Sequence, residues 1–146
     1  MTLYEEGRRV VARGITFINN KVLLIERYKK ENNVMLHYYT IPGGGVDVLE
    51  KYHEAAIREM MEETTCHVEI VDFLEKEYYP NGICYWYYCK YLSGTPKLSG
   101  EEKERNSNDN SYQVVLIDMN DIDKINILGK GKDLVKKCYE RYLKDN

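Results

Sequence analysis

At 146 residues, 43% hydrophobic and 31% charged, the chain has the size and composition of one globular domain spanning residues 1–146, long enough to bury a core. A net charge of −3 argues against a general nucleic-acid binder, whose footprint is basic. No apolar run reaches the length of a membrane span, and Met1 to Glu6 lacks the charged start and apolar centre of a signal peptide, so the expectation is a cytoplasmic protein with no membrane and no stable nucleic-acid partner.

In chain order, residues 8 to 28 suggest two strands joined by a hairpin. Val10 to Ile18 is rich in β-branched residues, Asn19-Asn20 supplies the turn, and Lys21 to Arg27 returns. Arg13 and Arg27 are either surface arginines or candidates to grip a diphosphate, since guanidinium suits bidentate phosphate recognition. Lys29 to Asn33 looks like a polar loop with a mobile tip. Met35 to Ile41 then forms a short strand.

Ile41 to Cys66 is the informative stretch. Pro42 and the glycines Gly43, Gly44 and Gly45 predict an open loop without regular structure. From about Glu50 the chain switches to good helix formers until Thr64 and Thr65. Ala56 and Met60 share one stripe, with Ile57 and Met61 beside it, giving an apolar side to bury. Glu59, Glu62 and Glu63 stand at i, i+3 and i+4, so their carboxylates converge. Like charges at this spacing disfavour a helix, and these sit near its negative C-terminal end. A hard divalent cation would relieve both penalties, which points to Mg2+ or Mn2+ beside the glycines.

Beyond the helix, Val68 to Glu75 predicts a strand and Pro80-Asn81-Gly82 a tight turn. Ile83 to Tyr91 is an aromatic strand with Tyr85 and Tyr87 on one face and Trp86 and Tyr88 on the other; the rings either pack in the core or stack on a base. Ser99 to Ser111 is a long polar loop, of the kind that is functional or mobile. Tyr112 to Asp118 forms a strand, Asn120 to Lys124 a helical turn, and Lys130 to Lys144 a closing helix with Leu134, Cys138 and Tyr142 on its buried stripe. Cys66, Cys84, Cys89 and Cys138 lack metal-site spacing and are expected to be buried thiols. His53 on the central helix is expected to be exposed. The element pattern implies an α/β layered domain with a mixed sheet between helices.

The spacing Gly44, five residues, Glu50, seven residues, Arg58-Glu59-Met60-Met61-Glu62-Glu63 resembles the Nudix box of the Nudix hydrolases. The box continues with a glycine and an aliphatic residue where this chain has Thr65 and Cys66, and Leu49 replaces a glycine common before the first box glutamate. Glycine at position 65 would suit a left-handed helix cap, which threonine adopts only at a cost.

The resemblance implies an α/β/α sandwich and a pyrophosphohydrolase. It implies Glu59 and Glu63 as metal ligands, Glu62 as ligand or base, and Arg58 and Glu50 as a supporting pair. It adds the Gly43 carbonyl as a ligand, and Tyr39 where the family often carries a substrate-side tryptophan. Glu102 is the further acidic ligand expected from the loop, with Glu101 and Glu104 as alternatives. The implied substrate is a nucleotide-type small molecule: a dNTP or NTP, an ADP-sugar or a dinucleoside polyphosphate. The alternative is a nucleotide-sensing or partner-binding module on the same fold, and a homodimer is compatible with either.

Overall fold

The computed structural model describes residues 1–97, 107 and 110–146. Its strands are β1 (Tyr4–Glu5), β2 (Arg8–Ile15), β3 (Phe17–Ile18), β4 (Lys21–Glu31), β5 (Val34–Thr40), β6 (Gly43–Gly45), β7 (His67–Tyr78), β8 (Gly82–Ser93) and β9 (Asn110–Asp118). The helices are α1 (Tyr52–Thr64), a 3-10 turn (Met119–Lys124) and α2 (Gly131–Asp145).

The strands form two sheets. In the first, β2 pairs in parallel with β8 and antiparallel with β1 and β6, and β7 lies antiparallel on the far side of β8. The second is antiparallel throughout, with β4 at its centre flanked by β9 on one side and by β3 and β5 on the other.

Alternation along β2 and β4 sorts the core into two halves. Val11, Ile15, Val22 and Leu24 pack with Trp86, Tyr88 and the α2 residues Leu134, Val135 and Cys138. Val10, Ala12 and Leu23 pack with Tyr87, Cys89 and the α1 residues Ala55, Ala56 and Met60. The result is a mixed α/β domain with the two helices on opposite faces of the strands, as expected. Removing the Met60 side chain down to a methyl would cost about 2–5 kcal/mol, the range for a fully buried site.

Four local expectations are corrected. The strand predicted from Val10 to Ile18 breaks at the buried Thr16, because β2 and β3 belong to different sheets. The predicted loop at Lys29 to Asn33 is instead the end of β4 and a two-residue turn. Asn32 and Asn33 both have positive φ (52° and 63°), the conformation a tight hairpin requires and asparagine tolerates. The strand predicted at Val68 to Glu75 runs on to Tyr78.

The glycines do not form an irregular loop. Gly43, Gly44 and Gly45 pair with Arg13, Ala12 and Val11 as β6. Their missing side chains are what permit it: a Cβ on Gly43 would lie 2.2 Å from the Ala12 carbonyl oxygen.

Three of the aromatic rings of β8 are packed in the core, with Trp86 2%, Tyr87 7% and Tyr88 4% exposed, while Tyr85 and Tyr91 are half-buried. All four cysteines are free and buried, and burial pushes the thiols of Cys84, Cys89 and Cys138 up to about 12, so they are unreactive at neutral pH.

Helix α1 ends on Thr65 in the left-handed region (φ 61°, ψ 19°), with the Thr65 N–H donating to the Met61 carbonyl at 2.9 Å. The Thr65 hydroxyl donates to the Thr95 carbonyl at 2.6 Å. This bond offsets part of a backbone strain of about 1–2 kcal/mol for a side-chain-bearing residue. Thr65→Ala keeps most of the strain and loses the bond, and should destabilise by about 1 kcal/mol. Thr65→Gly removes strain and bond together and should unfold within about 1 kcal/mol of the parent in denaturant titrations. A Thr65→Ala variant as stable as the parent would show that the hydroxyl does not support the cap.

Candidate active site

Between β6 and α1, the loop Val46 to Lys51 is closed by its own carboxylates. The Asp47 side chain accepts the Leu49 N–H at 2.9 Å, and Glu50 accepts the Asp47 N–H at 2.9 Å. Glu50 then meets Arg58 as a two-pronged pair: Nη2 to Oε1 at 2.6 Å and Nε to Oε2 at 3.0 Å. Such fork geometry is the strong form of a charge-assisted contact. Arg58 also donates through Nη2 to the Gly45 carbonyl at 2.9 Å, and through Nη1 to Glu59 at 2.9 Å and to Glu62 at 3.2 Å. One guanidinium therefore ties the loop, β6 and two helix carboxylates together. The bonds to Glu50, then those to Glu59 and Glu62, raise the Arg58 pKa further above its ordinary value; Arg58 in turn holds the Glu50 carboxyl below its usual range.

The pleat of β6 decides what lies on each of its faces. Gly44 turns its open side to α1, where an added Cβ would meet the Glu59 carboxylate at 2.5–2.8 Å. Gly43 and Gly45 turn theirs the other way, toward Arg13 Cγ (2.5 Å from an added Cβ) and Arg9 Nη2 (2.7 Å). In an antiparallel ladder alternate residues direct both N–H and C=O away from the partner strand. The Gly43 N–H accordingly donates to Glu63 Oε1 at 2.7 Å, and the Gly45 carbonyl accepts from Arg58. The Gly43 carbonyl shares that outer edge.

The expected convergence of three glutamates is met by two of them. Glu59 and Glu63 reach β6, whereas Glu62, with its side chain 53% exposed, is drawn outward along Arg58. Among the described residues no group of three acidic, histidine or cysteine side chains closes on one point. The donor set still suits a hard cation: carboxylate oxygens of Glu59 and Glu63 beside the Gly43 carbonyl, with Glu62 one turn away.

Two cavities open along β2. A cleft of about 600 Å³ is bordered by Arg9, Asp47, Leu49, Glu50, Arg58 and Glu59. A smaller pocket of about 250 Å³ is walled by Val11, Ile41, Tyr79, Trp86 and Leu128, with Arg13 and Arg9 at its side. Arg9 borders both, and the sequence reading passed over it. The signal was available, because period two places Arg9 on the same strand face as Val11 and Arg13.

Of the other candidates, Arg13 lies in the smaller pocket and donates to the Ile41 carbonyl at 2.8 Å. Arg27 borders neither cavity; it donates to Asn110 at 2.5 Å and stacks over Tyr112 at 4.0 Å. Tyr39 is buried and donates to Glu26 at 2.8 Å; burial and that carboxylate push its phenol up to about 12. Tyr39 also borders neither cavity. His53 is exposed on α1, as expected. Glu101, Glu102 and Glu104 lie outside the described residues.

The model of the NUDIX domain matches residues 8–129. A comparison with curated protein sequences finds no match. Among solved structures, a NUDIX hydrolase from Nitrosomonas europaea superposes with a TM-score of 0.69 at 23% identity, over 97% of this chain and 76% of its own. An ADP-ribose pyrophosphatase from Streptococcus suis gives 0.61 at 18% identity, over 91% and 90%. A UDP-X diphosphatase gives 0.63 at 18% identity, over 97% and 66%. At these identities the likeness is one of fold.

The Glu50–Arg58 pair has a pH signature. The folded state lowers the Glu50 pKa below its ordinary 4.5, so folding favours the ionised form. That stabilisation is fully present above 4.5 and is lost as pH falls through the lowered folded value. Glu50→Gln should cost about 1–2 kcal/mol at pH 7, and its deficit against the parent should shrink in denaturant melts at acid pH. A deficit that is constant with pH would contradict the pairing.

Proposed function

Because the chain belongs to the Nudix family as a Nudix-type pyrophosphohydrolase, we propose that it is a Mg2+- or Mn2+-dependent enzyme that cleaves the phosphoanhydride bond of a nucleoside diphosphate linked to another group. The observation that carries this reading is the seating of Glu59 and Glu63 on β6, with Gly44 leaving space for one carboxylate and the Gly43 amide fixing the other. Two of the similar folds are named as an ADP-ribose pyrophosphatase and a UDP-X diphosphatase; both names describe a nucleoside diphosphate bearing a second moiety. The class proposed for this chain covers dNTPs and NTPs, ADP-sugars and dinucleoside polyphosphates.

Glu59, Glu63 and the Gly43 carbonyl are the residues proposed to hold the cation. When bound there, a divalent ion supplies neutralisation of the diphosphate charge and a lowered pKa for water. Glu62, one turn from Glu59 and open to solvent, either joins these ligands or takes the proton of the attacking water. Arg58 keeps both carboxylates oriented through its bonds to Glu50 and the Gly45 carbonyl, so the helix does not reorganise as charge builds on phosphorus. Glu102 is retained as a proposed further ligand.

The test is hydrolysis of a nucleotide panel with magnesium, with manganese and with chelator, products being resolved by chromatography. Turnover that needs the cation and releases a nucleoside monophosphate is expected; nucleotide binding without turnover of any substrate would favour the sensing module instead. Glu63→Gln retains an acceptor for the Gly43 N–H, so it should lower turnover at least 100-fold, within the range of a general acid–base or electrostatic loss, while unfolding like the parent. Arg58→Ala should lose both activity and stability, since it leaves Glu50 partly buried without its partner. Parent-like turnover in Glu63→Gln would overturn the assignment.

A further inference from the structure

β2 offers Arg9, Val11 and Arg13 along one face, and Arg9 is the residue common to the carboxylate-bordered cleft and the apolar pocket. Its guanidinium lies across Gly45: an added Cβ there would meet Nη2 at 2.7 Å, Cζ at 3.3 Å and Nε at 3.5 Å. On the same glycine, the carbonyl holds Arg58. The two cations differ in how they are balanced. Arg58 has Glu50, Glu59 and Glu62, whereas the Arg9 guanidinium makes no hydrogen bond or ion pair among the described residues. Among the described residues no acidic side chain borders the apolar pocket. An unbalanced planar fork beside a diphosphate-cleaving centre suits a phosphate group.

The pocket behind Arg9 has rigid aromatic walls. One carboxylate oxygen of Glu77 accepts both the Trp86 Nε1–H and the Tyr79 hydroxyl at 3.0 Å, which fixes the two rings relative to each other. At about 250 Å³ the pocket falls below the usual range for a drug-sized ligand, roughly 300–1,000 Å³, and admits one flat ring system. Such a group is one end of a nucleotide, and Arg9 stands between that end and Glu59.

We propose that Arg9 is a specificity-determining residue that holds the substrate phosphate at Gly45, so that the nucleobase enters the pocket beside Tyr79, with the buried Trp86 behind it, while the anhydride bond lies beside Glu59. The inference rests on the hydrolase reading and deepens it. It fixes the direction of the substrate along β6, with the nucleoside monophosphate half on the Arg9 side and the second moiety in the wider cleft. It also assigns Gly45 a purpose distinct from that of Gly44. Gly44 leaves room for a carboxylate, and Gly45 leaves room for a guanidinium.

Trp86 is the sole tryptophan, so the fluorescence of the full chain reports on the pocket without turnover. The experiment titrates the parent, Arg9→Ala, Arg9→Lys and Gly45→Ala with AMP, GMP, UMP and CMP, their nucleosides, and inorganic pyrophosphate, all in chelator. At least one monophosphate should shift Trp86 emission saturably in the parent. Its affinity should fall at least tenfold in Arg9→Ala and in Gly45→Ala, whose methyl displaces the guanidinium, and recover in part in Arg9→Lys. The matching nucleoside should bind parent and Arg9→Ala alike. Equal monophosphate affinity in parent and Arg9→Ala, or pyrophosphate binding with no nucleotide altering Trp86, would overturn the inference. The hydrolase reading is judged separately by the nucleotide panel: turnover with an Arg9→Ala KM equal to the parent's sinks the Arg9 assignment alone, and nucleotide titration without turnover sinks the hydrolase alone.

Discussion

A strand made of three glycines lets three elements approach that side chains would hold apart. β6 pairs with β2 along its backbone, takes the carboxylates of α1 on the Gly44 side, and takes Arg9 and Arg13 on the Gly43 and Gly45 side. The pleat assigns these neighbours, because alternate residues of a strand open to opposite faces. Negative and positive groups thereby come within a strand's thickness of each other without meeting. The outer edge of the strand, with the Gly43 amide on Glu63 and the Gly45 carbonyl on Arg58, is where the two sets of charges both become reachable.

Arg58 makes that arrangement affordable. Glutamates at i, i+3 and i+4 near a helix C-terminus repel one another and the helix dipole. A single guanidinium within the same turn bonds Glu59 and Glu62 and anchors itself in Glu50 and β6. The helix can then carry Glu59 and Glu63 beside its buried residues Ala55, Ala56 and Met60, on the side that faces β6. The acidic face is thus stabilised by a contact that also fixes the loop from Val46 to Lys51. Loss of this one side chain uncouples loop, strand and helix together.

Much of this was legible in the sequence. The helix, its acidic spacing and the strands around Pro80-Asn81-Gly82 follow from periodicity and turn chemistry. The Asn32-Asn33 hairpin carried the same signal as Asn19-Asn20, but its polar flanks, Lys29, Lys30 and Glu31, hid the strand that continues through them. The glycine strand was illegible for a physical reason: propensity disfavours glycine in strands, and only the approach of the β2 backbone and of Glu59 explains the exception. That Arg9 shares a strand face with Val11 and Arg13 is legible from period two, whereas its place on the border of both cavities is a property of tertiary placement. The break at Thr16 is likewise set by which sheet each flank joins, which local β-propensity does not encode.

The most direct measurement is a manganese titration followed by electron paramagnetic resonance on the parent and on Gly44→Ala, with circular dichroism as the control for folding. The added methyl occupies the space of the Glu59 carboxylate, and its nearest contacts are the far end of that flexible side chain. A saturable bound Mn2+ is expected in the parent and an affinity at least tenfold weaker in Gly44→Ala, with the two folding alike. Equal manganese affinity in both proteins would contradict the claim that the glycine strand seats the carboxylates for a cation.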